Sequence, residues 1–104
     1  MANIILLYNL QPGVSREAYE QWQRTVDYPA MRGLKRVASF VNHRVTGLLM
    51  GEGAPSKQYV EIFDVPDLPG FLAEDMGGPV VQQIMGAFMG YVADPEFLIA
   101  EPVV

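Results

Sequence analysis

The sequence predicts an α+β fold in which four strands and two helices follow one another in the order β-α-β-β-α-β. Three observations carry this prediction: apolar runs of strand length near both ends, a long middle stretch rich in β-branched residues, and two segments with helical apolar spacing. Two split βαβ halves of this kind form a four-stranded antiparallel sheet with both helices on one face, the ferredoxin-like arrangement. With 104 residues, half of them hydrophobic, the chain is expected to form a single domain over residues 1–104.

The first half of the chain is expected to contain two strands and one helix. Residues 2–10 form an apolar run of strand length. Ser15 can cap the helix that follows, predicted over residues 16–30, because its hydroxyl can accept from free amides of the first turn. Pro29 is predicted to bend or end that helix, and the second strand is predicted over residues 37–49. The expected apolar stripe of the helix is Tyr19, Trp22, Val26 and Ala30.

The second half is expected to contain two strands and a helical region in two parts. A hairpin leads to a third strand over residues 58–65, and Asp67 can cap a short helix over residues 68–76. Pro79 then opens a longer helix, where its missing amide costs little. A fourth strand is predicted over residues 97–100. The apolar positions of the long helix repeat every four residues: Val80, Ile84, Phe88 and Val92.

Composition narrows the possible functions. Twelve acidic residues against seven basic ones give a net charge of −5, which repels nucleic acid and anionic membrane surfaces. The absence of cysteine excludes disulfides, thiolate metal sites and cysteine nucleophiles. The first residues lack the basic region of a signal peptide, and their apolar run is too short for a membrane span. A soluble cytoplasmic protein is the expectation.

One face of the predicted sheet has no helix to cover it. The simplest cover is a second copy of the chain, which would form an isologous homodimer. Its two sheets are expected to enclose a shared, barrel-like cavity.

His43 is the only imidazole in the chain, and it lies on the second predicted strand. Alternation places it on one face with Val41 and Val45, and places Phe40 and Arg44 on the other face. Among apolar neighbours, desolvation would keep His43 neutral and able to act as an acid or base near pH 7. A buried or interfacial His satisfied by one hydrogen bond is the alternative.

Asp27 is notable because a carboxylate near a helix C-terminus is disfavoured by the helix dipole, by roughly 0.3–1 kcal/mol. Two interpretations remain open. One is a structural salt bridge to Arg24, Arg32 or Lys35. The other is a base or orienting group at a cavity mouth, beside Tyr28.

Glu61 shares a face of the third predicted strand with Tyr59 and Phe63, so it is an acid in an otherwise apolar row. Either Glu61 lies at a solvent-facing edge, or it points into a cavity and pairs with His43 or Arg44. Asn9 is similarly either a hydrogen-bonding group at a strand end or part of a cavity wall.

Metal and nucleophilic chemistry are not expected. One His and scattered carboxylates do not have the spacing of metal ligands, and no serine-nucleophile motif is present. Any catalysis is expected to be cofactor-free proton transfer.

A family resemblance is carried by residues 10–47. The motifs are Gln-Pro-Gly-Val-Ser15, Tyr19-x-x-Trp22, Asp27-Tyr28-Pro29, Val37-x-Ser-Phe40 and Arg44-x-x-Gly47. This pattern resembles the dimeric α+β-barrel superfamily that includes EthD-like proteins and antibiotic-biosynthesis monooxygenases. The length and the spacing from Asp-Tyr-Pro to Ser-Phe are most similar to the RedY-like (HapK) family.

That resemblance implies a cytoplasmic homodimer whose cavity holds a planar pyrrolic or other heteroaromatic molecule, without a cofactor. The family is associated with biosynthesis of red tripyrrole pigments of the prodiginine type, so the chain is expected to be an accessory protein or cofactor-free enzyme of such a pathway. The alternatives are a cofactor-free monooxygenase of aromatic polyketides and a non-catalytic carrier of an intermediate. His43 and Asp27 are the proton-transfer candidates. The expected substrate-binding residues are Asn9, Trp22, Tyr28, Phe40, Arg44, Tyr59 and Glu61.

Overall fold

A computed structural model describes residues 2–104 and contains the predicted order of strands and main helices. The elements are β1 (Ala2–Leu10), α1 (residues 16–32), β2 (Ser39–Arg44), β3 (Tyr59–Val65), the short α2 (residues 68–75), α3 (Pro79–Tyr91) and β4 (Val92–Ala100). The sheet has the order β2-β3-β1-β4, and every neighbouring pair of strands is antiparallel. This confirms the ferredoxin-like α+β fold. None of the helices in residues 2–104 is long and apolar enough to cross a membrane.

The two faces of the sheet differ in what covers them. Leu6, Tyr8, Phe40 and Phe63 are buried in one core cluster together with side chains from all three helices. This side is called the helix face below. On the other side, called the open face, the alternating side chains of the same strands remain in contact with solvent. Its exposed apolar side chains are Val41, Ile62 and Leu98.

Helix α1 begins as the sequence predicts but continues past Pro29. The Ser15 hydroxyl accepts a hydrogen bond from the amide of Ala18 at 3.1 Å, which is the expected N-cap. Of the two alternatives, that Pro29 bends or ends the helix, the ending is wrong, since α-helical geometry runs over Tyr28–Arg32. Proline is tolerated there because it lies in the first turn of that last segment, where an amide is not required.

A π-helical segment, Gln23–Asp27, lies between the two α-helical parts of α1. Its wider turn changes which residues face the sheet. The buried positions are spaced four apart: Tyr19, Gln23, Asp27 and Met31. An α-helix with 3.6 residues per turn would rotate such a series gradually off one face. The prediction that Val26 belongs to the buried stripe is wrong, because Val26 is 44% exposed.

The outer strands differ in length from the predictions. β2 covers Ser39–Arg44, not residues 37–49. Leu48 and Leu49, which suggested a longer strand, lie in an exposed loop, whereas Val37 is buried just before the strand. β4 is longer than predicted because it starts directly after α3, at Val92. It contains Pro95, which an edge strand tolerates because one of its sides makes no ladder hydrogen bonds.

Arg36 fastens the short helix α2 to the rest of the domain. Its guanidinium contacts the carboxylates of Asp67, Glu74 and Asp75 at 2.6–3.3 Å. Asp67 also caps α2 as predicted, accepting from the amide of Gly70 at 3.1 Å.

Candidate functional site

Two buried acids lie between α1 and the helix face of the sheet. Glu61 on β3 and Asp27 in the π-helical segment are each 2% exposed. The side-chain amide nitrogen of Gln23 donates to Glu61 Oε1 at 2.9 Å and to Asp27 Oδ2 at 3.1 Å. Tyr8 donates to the same Glu61 oxygen at 2.8 Å. One amide group therefore bridges the two acids, which are called the acid pair below.

A second layer of hydrogen bonds orients the groups that hold the acid pair. Asn42 on β2 donates to Gln23 Oε1 at 2.7 Å and to the Tyr8 hydroxyl at 2.8 Å. Because the oxygen of Gln23 is occupied in this way, its nitrogen is turned toward the carboxyl groups. Tyr19 adds a hydrogen bond to the Tyr8 hydroxyl.

Burial raises the pKa of both acids. It raises the pKa of Glu61 to about 8, and the charge of Asp27 adds to this shift. It raises the pKa of Asp27 to about 6, against the opposing effects of the Gln23 hydrogen bond and of Arg32. Within residues 2–104 neither acid forms a salt bridge. At neutral pH the pair therefore holds one proton, mainly on Glu61, and contains an acid and a base together.

An apolar cavity ends at the acid pair. Its inner chamber, of about 50 Å³, is bordered by both acids. It shares walls with a larger chamber of about 200 Å³ that lies between the sheet and helices α2 and α3. The two chambers are together called the apolar cavity. The residues common to both are Leu6, Met31, Phe63, Val81 and Met85.

A separate polar cleft of about 360 Å³ lies between α1 and the strands β2 and β3. Its lining residues are Glu20, Gln23, Arg24, Tyr28, Asn42, Arg44 and Tyr59. Glu20 accepts two hydrogen bonds from Arg44 and one from the Tyr59 hydroxyl at 2.7 Å. These contacts, Arg44 first, lower the pKa of Glu20 to about 2. Gln23 belongs to both regions, since it lines the cleft and bridges the acid pair.

Comparison with known proteins places the chain in a family. The sequence model described as "REDY-like protein HapK" matches residues 2–103. The chain belongs to this RedY-like HapK family. No curated protein sequence matches it significantly.

Solved structures of similar fold agree with this assignment. HapK from Hahella chejuensis is 28% identical with a TM-score of 0.80, over 99% of this chain and 93% of that one. An EthD family protein from Bacillus halodurans is 19% identical with a TM-score of 0.77, over 99% of each chain. A protein from Thermobifida fusca, described as dimeric and ferredoxin-like, is 16% identical with a TM-score of 0.73, over 95% of this chain and 88% of that one. The last two show likeness of fold alone.

In this RedY-like chain, most of the sequence-predicted site residues lie on the helix side of the sheet. Asp27 and Glu61 form the acid pair, and Tyr28, Arg44 and Tyr59 line the polar cleft. Three others line none of these regions. Trp22 stacks on Tyr19 and contacts Tyr91 at a tilt, and Phe40 stacks on Phe63 with ring centres 4.0 Å apart. Asn9 joins β1 to the start of β3 by hydrogen bonds to Ser56 and Gln58.

His43 lies on the open face, across the sheet from the acid pair. In the single chain His43 is exposed and contacts the carbonyl of Val60 at 3.1 Å. Its desolvation requires a second copy on the open face, so its role as an acid or base stays a prediction. Strand alternation explains the separation, since Asn42 and Arg44 point to the helix face. His43 and Asp27 therefore do not meet in one cavity of a single chain.

The structure also decides between the interpretations left open for the acids. The solvent-edge interpretation of Glu61 is wrong, and so is its pairing with His43 or Arg44, because its partners are Tyr8 and Gln23. Asp27 makes no salt bridge to Arg24, Arg32 or Lys35.

Gln23 and Asn42 are the polar residues at this site that sequence reasoning missed. A signal for Gln23 exists in the repeat of Tyr19, Gln23, Asp27 and Met31 at four-residue spacing. The π-helical turn over Gln23–Asp27 keeps residues at this spacing on one face. No comparable signal marks Asn42. Its side chain donates to Tyr8 and Gln23, which come from other elements of the fold.

The region contains no obvious metal site. Within residues 2–104, no group of three or more His, Asp or Glu side chains is arranged to hold a metal ion.

Proposed function

We propose that this RedY-like protein is a cofactor-free proton-transfer enzyme of prodiginine-type pyrrole or indole pigment biosynthesis. The intermediate would be a planar heteroaromatic molecule bound in the apolar cavity. The observation that carries the proposal is the acid pair itself. Two buried carboxyl groups without a salt bridge border the inner chamber of that cavity, and the Gln23 amide bridges them. Burial raises the pKa of both groups, so the pair favours retention of a proton.

The acid pair can supply both halves of a proton transfer. Protonated Glu61 donates to an electron-rich ring carbon, and the Asp27 carboxylate removes a proton from the same ring. Gln23 keeps the two groups in one hydrogen-bonded unit, while Tyr8 stabilises Glu61 when it ionises. Once Glu61 has donated, the ring carries one positive charge beside two carboxylates, which stabilise it. Proton removal by Asp27 restores a neutral ring and a pair with a single negative charge.

The walls of the cavity favour a neutral, flat substrate. Its larger chamber is lined by aromatic and aliphatic side chains, including Phe63, Phe71 and Phe97. Aromatic walls bind planar rings through stacked and edge contacts. No arginine or lysine is among the lining residues, so an anionic group would lose its hydration without compensation.

The test is a mass-spectrometric time course in D2O with pyrrole and bipyrrole intermediates. Proton transfer to a ring carbon leaves deuterium on that carbon, even where no net product forms. The Glu61→Gln and Asp27→Asn variants are expected to lose this incorporation, because each removes one of the two proton-transfer groups. Glu52→Gln removes an exposed loop carboxylate and serves as the matched control, which is expected to retain it.

His43→Ala tests the earlier assignment in the same assay. Retained incorporation in this variant supports the acid pair, whereas loss in His43→Ala and retention in Glu61→Gln would contradict the proposal. Intermediates that bind the wild-type protein without exchange would indicate a carrier. Oxygen consumption with an aromatic polyketide would indicate the oxygenase alternative.

We also propose that the chain forms a homodimer through the open face. Val41, Ile62 and Leu98 expose apolar area on this face, and the relative from Thermobifida fusca is described as dimeric. Burial of that area between two copies would remove it from water. Ile62→Lys is expected to yield a monomer in size-exclusion chromatography with light scattering. Val26→Lys, at a similarly exposed apolar site on the helix side, is expected to remain dimeric. A dimeric Ile62→Lys protein would contradict the proposal.

A further inference from the structure

The polar cleft has more free hydrogen-bond donors than free acceptors. Both oxygens of Glu20 are occupied by Arg44 and Tyr59, and the oxygen of Gln23 is occupied by Asn42. In contrast, the Tyr28 hydroxyl accepts from the backbone N–H of Asn42 at 2.9 Å and donates to no acceptor within residues 2–104. A guanidinium has five N–H groups, and those of Arg24 make only weak contacts, to Gln21 at 3.4 Å and Glu20 at 3.8 Å.

The charges of the cleft are unbalanced in the same direction. Two arginines, Arg24 and Arg44, line it against a single carboxylate, Glu20, so the lining carries one excess positive charge. This excess is unusual for a chain whose net charge is −5. Glu20 remains ionised through the neutral range, so the excess does not change there.

We infer that the polar cleft is a second ligand site, which binds a small aromatic carboxylate. A carboxylate is an acceptor-only group that matches the unused donors of Arg24 and Tyr28. The half-buried ring of Tyr28 in the wall favours an aromatic body on that carboxylate. The inference goes beyond the proposed function, since it depends on the cleft and requires no reaction at the acid pair.

The experiment is a titration of the full chain with benzoate, followed by NMR, with benzamide as the uncharged isostere. The side-chain NH2 signals of Gln23 and Asn42 report on the cleft, and the methyl signals of Met31 and Met85 report on the apolar cavity. Benzoate is expected to shift the cleft signals, and benzamide is expected to bind more weakly.

The Arg24→Gln variant removes the free cation of the cleft while leaving the Arg44 contacts to Glu20 in place. Its dissociation constant for benzoate is expected to rise about fivefold, the effect of losing a charge-assisted hydrogen bond at an exposed site. The matched control is Lys35→Gln, which removes an exposed cation outside the cleft and is expected to change binding less than about twofold.

Three results would overturn the inference. The first is equal binding of benzoate and benzamide. The second is benzoate that shifts the Met31 and Met85 methyl signals and leaves Gln23 and Asn42 unmoved. The third is equal weakening in Arg24→Gln and Lys35→Gln, which would indicate a general effect of net charge.

Discussion

The Glu61→Gln variant removes the titratable proton of Glu61 from the acid pair. Burial raises the pKa of Glu61 in the folded protein from 4.5 to about 8. Between these values the folded chain binds a proton that the unfolded chain has already released. The free energy of unfolding therefore falls as pH rises through this window, and the loss is complete above the folded pKa. Glutamine keeps an oxygen that can accept from Tyr8 and Gln23, but it does not titrate.

The size of this effect follows from the shift. One proton of difference corresponds to a slope of about 1.4 kcal/mol per pH unit. Across the whole window, ionising Glu61 costs roughly 4–5 kcal/mol, a large share of the stability of a small domain. From pH 6.5 to 7.5 the wild-type protein is expected to lose about 1 kcal/mol, because most of Glu61 is still protonated in the folded state. Asp27 contributes little there, since its pKa is about 6.

Urea unfolding at pH 6.5, 7.0 and 7.5 measures this slope. Trp22 is the only tryptophan and packs against Tyr19, with ring centres 5.9 Å apart, so its fluorescence reports unfolding. The decline is expected in the wild-type chain and in the exposed control Glu52→Gln, and it should nearly vanish in Glu61→Gln. A decline of equal size in Glu61→Gln and wild type would refute the reasoning, because the proton would then belong to another group.

Three further predictions concern single contacts. Ser15→Ala removes the N-cap of α1 and should lower the free energy of unfolding by about 1 kcal/mol; an unchanged urea midpoint would contradict this. Phe63→Ala removes a buried ring stacked on Phe40 and should cost roughly 3–5 kcal/mol in the same assay, whereas the fully exposed Leu49→Ala should cost nothing measurable. Tyr59→Phe removes one donor to Glu20 and should raise the pKa of Glu20, yet leave it below 4.5, because the Arg44 hydrogen bond is the larger cause. A carboxyl NMR titration in which the Glu20 pKa does not move would show that the Tyr59 contact is unimportant.

Local chemistry explains why the architecture was predictable. The caps at Ser15 and Asp67 are hydrogen bonds between neighbours in the chain, so the residue types alone indicate them. The order of strands and helices follows from apolar periodicity, which each segment carries by itself. The predicted boundaries were wrong where contacts with distant parts of the chain set the end of a strand, as in β2 and β4.

The site was less predictable because it depends on faces and helical register. In the π-helical segment Asp27 is buried, whereas Val26, expected in the buried stripe, is exposed. Gln23 is an ordinary polar helix residue in the sequence, and it acquires its role only where Glu61 and Asn42 meet it.

The sequence by itself therefore determined the order of elements, the caps, the acidic balance and the family pattern. The tertiary structure decided which face of the sheet the helices cover. That choice buries Glu61 beside Asp27 and leaves His43 on the opposite side. The physical reason is the two-residue period of a strand: alternation sorts the residues of β2 and β3 into two sets, and only long-range packing selects the buried one.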